Sequence, residues 1–118
     1  MAVNSTLKDK SEAFALRIVK CYKYLTKHQN EYVLSKQLLR SGTSIGANIT
    51  EGIYAQSRPD FISKLGISLK EAQETGYWLR LLNKSDYLDE AQFDSIYTDC
   101  EELIKILVAT IKTTKENQ

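Results

Sequence analysis

A chain of 118 residues with 16 basic and 15 acidic side chains has room for one domain and one core, and none for a second, catalytic unit. The formal charge of +1 gives no strongly basic field for nucleic acid, and the ordinary apolar fraction excludes a disordered chain. A single proline, Pro59, and five glycines leave few places to turn, so residues 1–118 read as a few long helices.

The first segment repeats apolar or small residues three and four apart, at Leu7, Ser11, Phe14, Ile18, Cys21 and Leu25. Thr6 with Asp9 fits its N-cap. The second segment gives Leu34, Leu38, Ser41, Ile45, Asn48 and Gly52, with Asn30 as the expected cap. The third gives Ile62, Leu65, Leu69, Ala72, Gly76 and Leu79, opened by Ser57, Pro59 and Asp60: a hydroxyl cap, a proline where no amide is needed, and a first-turn acid. The fourth gives Phe93, Tyr97, Cys100, Ile104, Leu107 and Ile111. It follows a capping box of Asp89 and Gln92 with Leu88 stapled to Phe93. A spacing near 3.5 residues and short connections predict an all-α fold, an antiparallel up-down-up-down four-helix bundle.

The second helix is unusual in placing small and polar residues where large apolar ones are normal. Gly42 and Gly46, four apart, suit close approach of another helix, or a bend at Gly46. Arg40, Ser44, Ala47 and Glu51 form a second line, while Ile67, Glu71, Glu74, Trp78 and Leu81 share a face of the third helix. Acids framed by such apolar neighbours need a cation or an amide. These positions predict a network of Arg40, Asn48, Glu51, Glu71 and Glu74, inside the bundle or between subunits, with Arg40→Ala costing several kcal/mol or abolishing assembly. Trp78 is expected at a subunit interface, since four stripes already fill one small interior.

Charge is unevenly spread. The segment before Gln29 is basic and the segment after Ser85 acidic, so neighbouring first and last helices are expected to pair. Lys20, Lys23 and Lys27 cluster opposite the first apolar stripe, as a solvated face or as phosphate contacts for nucleic acid. Cys21 and Cys100 lie on apolar stripes and read as buried thiols rather than a disulfide. The one histidine, His28, is remote from the glutamates, so neither a di-iron nor a zinc site is expected. No cofactor fingerprint or nucleophile–base pair accompanies Glu71 and Glu74, so no catalytic residues are assigned. No apolar run approaches a membrane span, and Met1–Thr6 lacks the pattern of a secretion signal, so a cytoplasmic protein without membrane contact is expected.

Arg40 with Ser44-Ile45-Gly46-Ala47-Asn48-Ile49 and Glu51-Gly52, then Asp60-Phe61, Leu65 and Lys70-Glu71-Ala72-x-Glu74-Thr75-x-x-Trp78-Leu79, resembles the four-helix bundle proteins of the 23S ribosomal RNA intervening-sequence family. The likeness runs from about Phe14 into the fourth helix. It implies a bacterial cytoplasmic protein forming a homopentameric ring, with no catalytic residues to carry over. The family is similar in turn to the accessory protein of diversity-generating retroelements, a pentameric bundle that binds nucleic acid and a reverse transcriptase. Two departures stand out: many relatives carry proline where this chain has Gly46, and the retroelement relatives are strongly basic. The function expected is a non-catalytic homo-oligomeric scaffold, a pentamer, binding RNA or an RNA-associated protein. The alternatives are a protein–protein adaptor without nucleic-acid contact, and an enzyme using Glu71 and Glu74 in a water-filled cleft.

Overall fold

The computed structural model describes residues 2–117, with side chains from Thr6 onward. Four helices follow one another: α1 (Ala2–His28), α2 (Leu34–Ile53), α3 (Arg58–Lys84) and α4 (Glu90–Glu116). Each packs on the next, α2 against α3 most extensively, and α1 meets α4 in the loosest seam. All four seams are antiparallel. Residue numbers fall on one helix as they rise on its neighbour, from Lys10 with Glu102 to Arg17 with Asp99, and from Arg40 with Glu74 to Glu51 with Lys64. Among the described residues no helix is long and apolar enough to cross a membrane.

Most of the first three stripes is inward, with Leu7, Phe14, Ile18 and Leu25 from α1, Leu38 and Ile45 from α2, and Leu65, Ala72 and Leu79 from α3 buried, while Cys21, Leu34, Asn48, Ile62 and Leu69 are only partly covered. The α4 seam differs. Its buried line is Ile96, Cys100, Leu103, Leu107 and Thr110, while Phe93, Tyr97, Ile104 and Ile111 are only partly covered. The apolar face of α4 is wider than one stripe, and spacing alone does not say which edge turns inward. Tyr97 turns toward α3, where its hydroxyl accepts from Arg80 (3.0 Å) and its ring stacks on Phe93 (centroids 4.7 Å).

The small and polar residues of α2 let two helices come close. A β-carbon on Gly42 would stand 2.7 Å from Ile18, and one on Gly46 would stand 3.3 Å from the Ser11 hydroxyl. α2 runs unbroken past Gly46. On the α3 side, Ser68 donates to the Ile45 carbonyl (2.6 Å) and Thr75 to the Ser41 hydroxyl (3.0 Å), both within the core. Buried hydroxyls are thus satisfied by backbone or by each other, and no buried side-chain nitrogen or oxygen among the described residues lacks a partner.

The helix ends confirm two expected caps and correct two. The Ser57 hydroxyl accepts from the Asp60 amide (3.2 Å), and Asp89 and Gln92 form a reciprocal capping box. Thr6 caps nothing, because α1 continues back to Ala2 through residues that contain no glycine or proline to stop it. Asn30 does not cap α2 either. It sits in the left-handed region (φ 53°) as the chain leaves α1. The cap is Glu31, whose carboxylate accepts from the amides of Val33 (2.9 Å), Leu34 (2.9 Å) and Ser35 (2.6 Å). After α3, Asp86 (φ 69°) holds the place glycine commonly takes, with the Tyr87 amide reaching the Leu82 carbonyl (2.9 Å).

Two predictions follow from this packing. Gly42→Ala forces Ile18 out of its place and costs about 1–3 kcal/mol, whereas Gly66→Ala, with nothing within 4 Å of the added carbon, gains about 0.5–1 kcal/mol of helix propensity. Urea denaturation of the two variants gives both signs. Burial pushes the Glu31 carboxyl upward, but the amides it caps outweigh that and hold it below the usual value of 4.5. Its stabilisation is therefore complete above the unfolded-state value and fades as pH falls through the lower folded one. Glu31→Gln should flatten the acid limb of a stability–pH curve.

Candidate interaction face on α2 and α3

Glu71, Glu74 and Trp78 recur at helical spacing on α3, and antiparallel packing sets Arg40 of α2 opposite them. The guanidinium reaches Glu74 at 2.6 Å and Glu71 at 3.4 Å, and the same Glu74 oxygen accepts from the Trp78 indole at 3.3 Å. The Arg40 hydrogen bond is the main cause holding the Glu74 carboxyl below its ordinary value. Partial burial opposes it and the indole reinforces it. In return, Glu74 raises the Arg40 pKa further above its already high normal value. Beside the cluster, Ile67 and Tyr77 are exposed, and Tyr77 meets Trp78 edge-on with centroids 5.0 Å apart. Trp78 itself is half-buried and packs on the core.

The expected five-residue network divides. Arg40, Glu71 and Glu74 come together. Asn48 instead donates to the Ser44 carbonyl of its own helix (2.8 Å), and Glu51 pairs with Lys64 (3.3 Å). Distance along α2 is the reason: Arg40 and Glu51 are three turns apart, about 16 Å at 1.5 Å per residue. The expected cost of losing Arg40 depends on what covers the pair. Its side chain is 52% exposed, so within one chain the pair is a surface pair.

The charges of the first and last segments do neutralise each other in part, through Lys10 with Glu102 (3.0 Å) and Arg17 with Asp99 (2.6 Å). Lys20, Lys23 and Lys27 lie exposed on α1, and none forms an ion pair among the described residues. Both cysteines are free thiols. Burial pushes Cys100 up to about 12, with Glu101 adding and Arg80 opposing, and pushes Cys21 up to about 11 against Arg17. Neither is a thiolate at neutral pH, so neither is poised as a nucleophile.

A cavity of about 570 Å³ opens where α2 hands over to α3, between Ile53, Phe61, Ile106 and Thr113. A second, of about 420 Å³, lies in the α1–α4 seam beside Arg17, Tyr24 and Gln92. Neither contains Glu71 or Glu74. Among the described residues no group of three or more histidine, cysteine or acidic side chains is placed to hold a metal ion. What the α2–α3 face offers chemically is a pre-paired cation, two acids, an indole and flanking apolar side chains. That set suits recognition of another surface. Sequence reasoning missed the Glu74–Trp78 bond, although the four-residue spacing of the two was its available signal.

Arg40→Ala should lower chain stability by no more than about 1 kcal/mol in chemical denaturation. A loss of several kcal/mol would mean that the pair is covered by another surface in solution.

A family model described as the 23S rRNA-intervening sequence protein matches residues 4–109. Among solved structures, the chain is similar to the crystal structure of a protein with unknown function from the S23 ribosomal protein family of Bacteroides thetaiotaomicron VPI-5482. The two are 55% identical, with 93% of this chain and 98% of that chain covered and a TM-score of 0.92. Comparison with curated proteins gives no match.

Proposed function

The chain belongs to the 23S rRNA-intervening sequence protein family, and we propose that it acts without catalysis, as a homo-oligomeric, pentameric helical-bundle scaffold that holds a macromolecular partner, RNA or an RNA-associated protein. The observation that carries this reading is the composition of the α2–α3 face. Its two acids are spoken for by Arg40 and the Trp78 indole, and they stand beside exposed Ile67 and Tyr77 rather than in a cleft. An acid engaged in this way is poorly placed to move a proton, whereas an aromatic and arginine surface of this kind is what protein interfaces favour. The RNA version draws on exposed cations, Lys20, Lys23 and Lys27 foremost, repeated around the assembly. The near-neutral charge favours the alternative, an adaptor between proteins without nucleic-acid contact.

A salt titration against structured RNA separates the two. Three phosphate contacts per copy predict that a fourfold rise in salt weakens binding about 40-fold. Absence of binding at low salt discards RNA and leaves the adaptor.

A further inference from the structure

Charge on the outward faces of α1 and α4 is ordered, and the two orders match. Along α1 the exposed residues run from acid to base, Asp9 and Glu12 first and then Lys20, Lys23 and Lys27. Along α4 they also run from acid to base, Glu90, Asp94 and Glu101 first and then Lys105, Lys112 and Lys115, before Glu116 closes the helix. Because the helices are antiparallel, the basic end of one face stands level with the acidic end of the other. The two ion pairs of the α1–α4 seam, Lys10 with Glu102 and Arg17 with Asp99, bracket the register to within about a turn, and its midpoint sets the levels. Counting outward from them puts Lys20 level with Asp94, Lys23 with Glu90 and Asp9 with Lys105. Among the described residues none of these six forms an ion pair, and of the six only Glu90 has a side-chain hydrogen bond, from Asn83. Between the charged ends of the α1 face sits Leu16, 62% exposed, at the level of Thr98. Glu12 and Glu101 stand level with each other, a like-charged pair inside an otherwise matched order.

We infer that the outward face of α1 in one copy docks on the outward face of α4 in the next, with Lys20 on Asp94, Lys23 on Glu90, Asp9 on Lys105 and Leu16 at the centre. The inference deepens the oligomeric part of the proposed function and rests on it. It also gives Lys20 and Lys23 to a neighbouring copy, leaving Lys27 for the rim. Two different faces meeting head to tail make a heterologous contact, which closes into a ring when the turn per copy permits. Copies related by rotation about an axis along the bundle keep their heights, so a level-by-level match is what such a ring requires. The angle also fits. Neighbouring helices of a four-helix bundle look outward roughly 90° apart, and contact faces diverging by about 90–120° close after four to six copies. The α1–α4 seam then lines the inside of the ring and the α2–α3 face its outside, free for a partner.

Charge reversal within faces tests the match without changing net charge. One variant carries Asp9→Lys with Lys20→Glu, a second carries Asp94→Lys with Lys105→Glu, and a third carries all four. Light scattering at low salt should show assembled wild type, about tenfold or greater weakening of assembly in each single-face variant, and recovery in the four-fold variant. Far-UV melting curves establish that each variant is folded. A wild type that is monomeric at every salt concentration sinks the oligomeric reading itself. Single-face variants that assemble as well as wild type overturn the seam alone. If they also lose binding to structured RNA, the lysine belongs to RNA. A folded four-fold variant that does not reassemble overturns the pairing.

Discussion

At Gly42 an added β-carbon would lie 2.7 Å from the side chain of Ile18, so α1 crosses α2 at a distance that only bare backbone allows. One turn further on, Gly46 faces Ser11 almost as closely. The opposite side of the same helix approaches α3 through Ser41 and Ile45, where the Thr75 and Ser68 hydroxyls are bonded within the core. α2 is therefore the helix on which two neighbours converge, and its small residues are the condition for both contacts. Bulk at either glycine would push α1 outward and open the side of the bundle that α4 completes. The usual cost of glycine and hydroxyls inside a helix is offset by packing and by hydrogen bonds that leave no buried polar side chain unsatisfied among the described residues.

That convergence decides where polar chemistry can sit. With the buried hydroxyls used across the α2–α3 seam, the charged side chains lie toward the solvent edges of the seams. Arg40 with Glu71 and Glu74, and Glu51 with Lys64, line the α2–α3 edge, while Lys10 with Glu102 and Arg17 with Asp99 line the α1–α4 edge. Pairs of this kind add little to stability but hold helices in register. They also fix the pattern of charge that another molecule meets. The α2–α3 edge is already neutralised internally and carries aromatic and aliphatic neighbours. The outer faces of α1 and α4 keep charges with no mate among the described residues.

Much of the fold was legible because its determinants are local. Helical spacing placed most of the inward stripes of α1, α2 and α3, and the Ser57 and Asp89 caps are set by residues three apart in sequence. The inward edge of α4 was not legible, since an apolar face wide enough to include both Phe93 and Ile96 can rotate either way until α3 offers Arg80 to Tyr97. The α2 cap was misread for a related reason. Asn30 is a common capping residue, but it was needed in a left-handed turn, and Glu31 reached forward to three amides in its place. In the polar network, spacing correctly put Glu71 and Glu74 on one face and opposite Arg40. It could not separate the two ends of α2, because sharing a face says nothing about separation along the axis. Asn48 and Glu51 consequently stand apart from Arg40.

Those two outcomes together explain why the site reads as a surface for recognition. A catalytic carboxylate needs a reason for its pKa to lie near working pH and a volume in which substrate and water can be arranged. Glu74 has the reverse: its first and strongest influence is a guanidinium that keeps it ionised, and the larger cavity lies at the far end of α2. The thiols fail the same requirement from the other side, since burial keeps them protonated. The groups left facing solvent in numbers are charges ordered by height and a few apolar side chains between them. Their energetic value is small in a single chain and becomes appreciable when a second surface of matching order excludes water from them.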